Sequence, residues 1–167
     1  MIGLGDEARQ SFVNQLQMGL FAWIKKHPAH DRPLLGLLVM DEAQNFAPSG
    51  AMTACTQSTL ALASQARKYG LGLIFATQAP KNLHNRIPGN AATHFFGRLT
   101  VPVQIAAAQE MARVKGGDVP DIGNLTAGVF YLALEGEAPA KVRTPMSLSH
   151  HPSSPLTDEE VVARARS

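Results

Sequence analysis

A chain of 167 residues, 45% of them apolar, suits one globular domain with a sizeable core and excludes the disordered class. Fifteen basic against thirteen acidic side chains leave a formal charge of +2, too small to argue nucleic-acid binding from bulk electrostatics, so any DNA contact has to be local. The apolar runs, about seven residues at their longest, fall far short of the roughly 20 that span a bilayer, and the amino terminus lacks a basic segment followed by an apolar one. A soluble, cytoplasmic protein is expected. The single Cys55 cannot form an internal disulfide, which fits a reducing compartment, and it reads as a small buried hydrophobe.

Phe12, Leu16, Leu20, Trp23 and Ile24 recur at helical spacing between Asp6 and Lys26, predicting an amphipathic helix that stops before the proline-flanked connection from His27 to Pro33. Leu34 to Met40 is then an unbroken apolar run. Such a run predicts a strand buried on both faces, inside a parallel sheet covered by helices. A polar loop through Pro48-Ser49-Gly50 leads to a helix from Thr56 to Tyr69, stopped by Gly70, and directly to a second apolar strand, Leu71 to Thr77. This strand-helix-strand unit should cross over right-handed with its two strands parallel. A third strand is expected at His94 to Val101, followed by a helix that opens at Pro102 and ends at Gly116-Gly117. Val129 to Leu134 and Ala140 to Met146 read as a terminal hairpin, Ser147 to Pro155 as a linker, and Thr157 to Glu160 as the capping box of a short last helix.

The chemistry concentrates at two strand ends. Parallel sheets collect ligands at the carboxyl ends of their strands, and there the first strand ends in Asp41-Glu42 and the second in Gln78. Phosphoryl transfer to water needs charge neutralised by Mg²⁺ and an attacking water held in line. Two adjacent carboxylates divide those tasks: Asp41 would hold a magnesium-bound water and Glu42 would polarise the attacking water as general base. Gln78 would hydrogen-bond the γ-phosphate or that water. Nowhere do the 167 residues contain the phosphate cradle G-x-x-x-x-G-K-S/T, so the chain is expected to carry half of such a site. His27, His30 and Asp31, and the pair His150-His151, receive no metal assignment, because proline-flanked connections are usually solvated. Phe95-Phe96 beside Arg98 faintly suggests a stacking platform for single strands, but burial in the third strand is the expected reading.

Leu37 to Gln44, then Ser64 to Leu73, then Phe75 to Pro80 resemble the Walker B segment, the arginine-containing helix and the sensor strand of the HerA/FtsK group of P-loop ATPases. The similarity extends through His94 to Leu99 and through Thr144 to Pro152. The resemblance implies an α/β fold of the RecA-like (ASCE) kind: part of a P-loop NTPase parallel sheet flanked by helices, with a terminal β-hairpin. It implies ATP and Mg²⁺ as cofactors and an oligomer, usually a hexameric ring, that couples hydrolysis to DNA translocation, often beside a nuclease. By position, Asp41 matches the magnesium aspartate, Glu42 the catalytic glutamate and Gln78 the sensor glutamine. Arg67 falls where the family places an arginine that reaches the neighbouring subunit's nucleotide, and Arg98 is a second candidate. Two residues depart from the pattern: Ala79 stands where arginine is frequent, and Gln44 replaces the frequent histidine of Asp-Glu-Ala-His. Superfamily-two helicases also carry Asp-Glu-Ala-x but are expected to follow it with Ser-Ala-Thr, where this chain has Ala76-Thr77-Gln78.

The expected division is therefore 1–147, the carboxyl-terminal part of an ATPase domain, and 148–167, a linker and short helix. In this fold class the phosphate-loop strand lies beside the sensor strand, so its absence predicts an open slot in the sheet, and Met1 need not be a true start. Two other readings stay open at this stage: a non-catalytic interaction module that kept the fold, and a P-loop ATPase driving protein or conjugative transfer.

Overall fold

The computed structural model describes residues 4–149 and 154–166; the histidine pair His150-His151 and the end of the matched segment at Pro152 lie outside them. Helix α1 (Asp6–Lys26) opens the chain, and β1 (Gly36–Met40) follows the proline-flanked connection. Helix α2 (Thr56–Gln65) continues as a tighter 3₁₀ turn, Ala66–Tyr69, and leads into β2 (Leu71–Phe75). A short helix α3 (Arg86–Asn90), β3 (His94–Phe96) and α4 (Pro102–Val114) come next, then β4 (Val129–Ala133), β5 (Ala140–Arg143) and α5 (Asp158–Arg166).

The strand-helix-strand unit forms as its sequence requires. β1 and β2 are parallel and in register from Gly36 beside Leu71 to Met40 beside Phe75. Gly70 stops the intervening helix at a φ of 78°, and a Cβ there would stand 2.2 Å from that of Ala29, so both the turn and the close approach demand glycine. The second sheet is antiparallel, in the order β3-β4-β5. The β4–β5 hairpin thus forms where the sequence placed it, with β3 added along its other edge. The third strand is shorter than the expected span to Val101, because only His94 to Phe96 find partners on β4. Thr157 and Glu160 make the reciprocal capping bonds, at 2.8 and 3.3 Å.

α1 turns inward a face rotated from the one its periodicity suggested, sharing with it Ile24 and the partly buried Leu20. Its buried positions are Val13, Gln17, Phe21 and Ile24, while Phe12 and Trp23 are about half exposed at 50% and 49%. That face tolerates Gln17, whose amide donates to Thr59 Oγ1 at 3.0 Å and accepts from Ser58 Oγ at 2.6 Å, so a polar residue is satisfied inside the α1–α2 contact. Gly5 gives α1 no side-chain cap, a loss of only about a few tenths of a kcal/mol relative to a capping side chain. Burying Phe21 and Ile24 is worth about 1.5–3 kcal/mol each, so packing decides that this helix docks.

The expectation that β1 is buried on both faces is corrected. Leu38 and Met40 pack against α1 and its neighbours, but Leu37 and Val39 on the opposite face are 54% and 58% exposed, as is Ile74 of β2 at 48%. Among the described residues nothing covers that face. Phe96 is buried as expected, whereas Phe95 is 61% exposed, its ring edge-on to Phe130. Around the second sheet, Phe96, Tyr131 and Ala133 pack with Ala108 and Ala112 of α4.

Asp121 clasps that sheet: it accepts a hydrogen bond from Tyr131 Oη on β4 and one from Lys141 Nζ on β5, the latter at 2.5 Å. The Lys141 contact first, then the Tyr131 hydroxyl, holds the Asp121 carboxyl below the usual carboxylate range. Because folding lowers this pKa, the stabilisation is fully present above the unfolded-state value and lost as pH falls through the folded one. The thermal midpoint of the parent should therefore exceed that of Asp121→Asn at neutral pH, and the two should converge below about pH 4. A gap that persists undiminished to strong acid would rule out an ionised clasp.

Candidate functional site

The end of β1 and the end of β2 are tied together beyond the strands themselves. Ala76 N–H donates to Met40 O and Ala43 N–H donates to Ala76 O, each at 2.9 Å, so the parallel ladder carries straight into the two polar termini. The loops that leave them are joined again further out. Pro48 and Leu83 form an isolated antiparallel bridge, with Ser49 N–H on Asn82 O and His84 N–H on Ala47 O, both at 2.8 Å. Ala43, Ala47, Leu60, Leu83 and Ile87 fill the space beneath. A packed floor thus holds the polar residues at one edge.

Glu42 sits at φ 49° and ψ 47°, in the left-handed region that non-glycine residues seldom adopt. Such a conformation costs on the order of 1–3 kcal/mol and persists only where the surroundings over-determine it. Here they do. Glu42 N–H donates to Asp41 Oδ1 at 2.9 Å, Gln44 Nε2 donates to Glu42 Oε2 at 2.6 Å, and Gln78 Nε2 donates to Glu42 Oε1 at 3.1 Å. Thr77 Oγ1 donates to Gln44 Oε1 at 2.5 Å and accepts from Ala79 N–H at 3.0 Å. Glu42 is half-buried, whereas Asp41 and Gln78 are exposed.

Three residues that the sequence singled out therefore meet: Asp41, Glu42 and Gln78. Two do not join them. Arg67 lies in the 3₁₀ turn that precedes β2, at the far end of that strand from Gln78, and its side chain is exposed. The five residues of β2 alone set the two about 13 Å apart. Arg98 is also exposed and follows β3, in the sheet that shares no strand pairing with β1 and β2. The sequence reading missed Gln44 as a contact of Glu42 and missed Thr77 altogether. Both stand within two residues of a residue it named, and the trace they left was a polar side chain at a strand end that is otherwise apolar.

Cys55 is fully buried, its Sγ donating to Gln10 Oε1 at 2.6 Å, and burial pushes the thiol up from its ordinary pKa, as suits an unreactive core cysteine. His27 stacks on Trp23, with Nδ1 3.0 Å from Trp23 O. No group of three or more His, Cys, Asp or Glu side chains converges among the described residues, and none of their helices is long and apolar enough to cross a membrane.

A single carboxylate at an exposed strand end is a donor set that Mg²⁺ accepts, since this ion keeps several of its waters and takes one or two protein carboxylates. Asp41 meets that description, with Oδ1 engaged by the Glu42 amide and the group open to solvent.

No protein-family model matches the chain, and no curated protein does. Solved structures do. The chain is similar to the genome packaging NTPase B204 of Sulfolobus turreted icosahedral virus 2 in complex with AMP, with a TM-score of 0.60 and 17% identity over 85% of this chain and 65% of that one. The same NTPase in complex with ATP-gammaS gives 0.57 and 19% over 81% of this chain and 62% of that one. The pCW3 conjugation coupling protein TcpA, in its monomer form with ATPgS, gives 0.51 and 16% over 83% of this chain and 43% of that one. The chain thus spans somewhat less than two thirds of the packaging NTPase's length. What these likenesses establish is the fold: an α/β chain, with a parallel pair of strands and an antiparallel sheet, like that of the packaging NTPase.

Proposed function

We propose that this chain is the Walker B and sensor half of an ATP-hydrolysing, ring-forming DNA translocase of HerA type, working in the cytoplasm and inactive as this piece alone. The observation that carries the reading is Glu42. A carboxylate held in a strained backbone conformation at the end of a parallel strand, with the amide of Gln78 reaching it from the next strand, is an arrangement suited to orienting a water. Asp41 would hold a Mg²⁺ ion through water, and that ion would offset charge on the phosphates of ATP. Glu42 would polarise the attacking water and Gln78 would contact the γ-phosphate, with Arg67 supplied across a subunit boundary and Arg98 a further candidate for nucleotide contact. Residues 1–147 would be the ATPase part and 148–167 a linker and helix.

The half-site reading draws support from the exposed apolar face of Leu37, Val39 and Ile74, which a complete α/β sheet would cover, and from the missing G-x-x-x-x-G-K-S/T cradle. The likeness to a genome packaging NTPase and a conjugation coupling protein supports an oligomer that handles DNA and favours one alternative, a motor for packaging or conjugative transfer. An in-frame phosphate-loop motif in the coding sequence, with ATP turnover stimulated by double-stranded DNA in the complete protein, is the test. A complete protein without that motif would sink the motor and leave a non-catalytic module.

The isolated 167-residue chain is expected to show no sustained ATP turnover, because the missing backbone N–H groups and lysine supply most contacts to the β- and γ-phosphates. Phosphate release by the purified chain is the assay. Steady Mg²⁺-dependent turnover that Glu42→Gln abolishes would overturn the half-site reading.

A further inference from the structure

The two amides on Glu42 are not equivalent. Gln78 reaches Oε1 at 3.1 Å from an exposed position and is held at that one end. Gln44 reaches Oε2 at 2.6 Å, is half-buried, and is pinned at its other end by the Thr77 hydroxyl. Hydrogen bonds to an ionised acceptor are short when well formed, and the Gln44 contact is the shorter by half an ångström (3.1 against 2.6 Å). Thr77 is itself fixed, since its oxygen accepts the Ala79 amide at 3.0 Å. One three-residue segment, Thr77 to Ala79, therefore grips the same carboxylate by two arms, one relayed through Gln44 and one direct.

We propose that Gln44 is a positioning residue: together with Thr77 it anchors Glu42 through Oε2, leaving Oε1 as the oxygen that Gln78 covers and releases. The inference rests on the reading of Glu42 as the water-orienting carboxylate. It adds a division of labour within that one side chain. When Gln78 turns toward a bound phosphate, Oε1 becomes free to accept a hydrogen bond from water. The carboxylate keeps its place because the second arm still holds. A carboxylate gripped by Gln78 alone would lose its orientation at the moment it was needed. The pairing across the two strands also makes Thr77 a second positioning residue, acting through Gln44 without touching Glu42.

Side-chain amide exchange of Gln44 and Gln78, followed by NMR on the 167-residue chain labelled with ¹⁵N at glutamine, tests this without nucleotide. In the parent, the Gln44 amide should exchange about tenfold more slowly than that of an exposed glutamine, the factor for a bond worth about 1.4 kcal/mol. Gln78→Ala should leave that protection unchanged. Thr77→Val should remove most of it, and Thr77→Ser, which keeps the hydroxyl, should restore it. Gln44→Leu should release the Gln78 amide as well, because the carboxylate is then loose. Protection of Gln44 that survives Thr77→Val, or that collapses in Gln78→Ala, would overturn the anchor. The Thr77 pair decides the matter even if Gln44→Leu fails to fold. Because no ATP is involved, a broken relay and a failure of Glu42 in hydrolysis are separate outcomes.

Discussion

If the complete protein hydrolyses ATP as proposed, replacing Glu42 with Gln should leave nucleotide bound while turnover falls by about 10² or more, the range for losing a general base. The substitution keeps the shape of the side chain and removes its charge. Both carboxylate oxygens accept from side-chain amides, Gln44 at 2.6 Å and Gln78 at 3.1 Å, and a glutamine can keep only the contact made to its carbonyl oxygen. Its own NH₂ group must then face a donor. One of the two amides has to turn away, so a modest rearrangement at the strand ends accompanies the loss of the base. Asp41→Asn should act differently, weakening the Mg²⁺-dependent part of binding, because Asp41 contacts the backbone of Glu42 and the solvent. Nucleotide affinity and turnover, measured separately, distinguish the two. Hydrolysis by Glu42→Gln at the parental rate would remove the water-orienting role from this residue.

Arg67→Ala should leave ATP binding and assembly largely intact while turnover drops by about 10³, the low end for an arginine supplied in trans. The placement of Arg67 argues against a cis role. It lies before β2 and Gln78 lies after it, so a whole strand, about 13 Å of extended chain, separates its backbone from the candidate site of the same subunit. An exposed position at that edge is what a residue offered to a neighbour requires. The deciding experiment mixes two inactive full-length variants, Arg67→Ala and Glu42→Gln. At some interfaces of a mixed ring an intact Glu42 faces an intact Arg67 from the adjacent subunit, and activity should partly return. No return despite demonstrated subunit mixing would leave Arg67 as a solvated cation at the end of a helical segment, interacting with the last carbonyls there.

How much was legible in advance differs between the site and its surroundings. Asp41, Glu42 and Gln78 could be placed together because each terminates an apolar run, and two parallel strands joined by one crossover bring their carboxyl ends to the same edge. That inference needs only strand polarity and spacing. It needs no side-chain detail. Gln44 and Thr77 escaped because hydrogen-bond partners depend on local backbone angles, here the left-handed turn at Glu42, which redirects the chain within two residues. Nothing in the periodicity of the strand announces such a turn.

The sequence by itself determined the alternation of helix and strand, the glycine stop at Gly70, the proline start of α4, the capping box at Thr157 and the identity of the polar strand ends. Each rests on local chemistry: a backbone conformation only glycine tolerates, a missing amide, a short side chain that caps a helix. Only the tertiary structure decided which face of α1 turns inward and how the strands divide into two sheets. It also decided that Leu37, Val39 and Ile74 stay uncovered. Those outcomes depend on which partner each surface finds. Phe12, Leu16 and Trp23 are as apolar as the residues that went inside, but α2 and β2 offer a packing surface to Phe21 and Ile24, and Gln17 can join them because Ser58 and Thr59 satisfy its amide. A strand reads as buried when it is apolar throughout, yet burial belongs to the neighbour that covers it, and the described residues supply one for a single face.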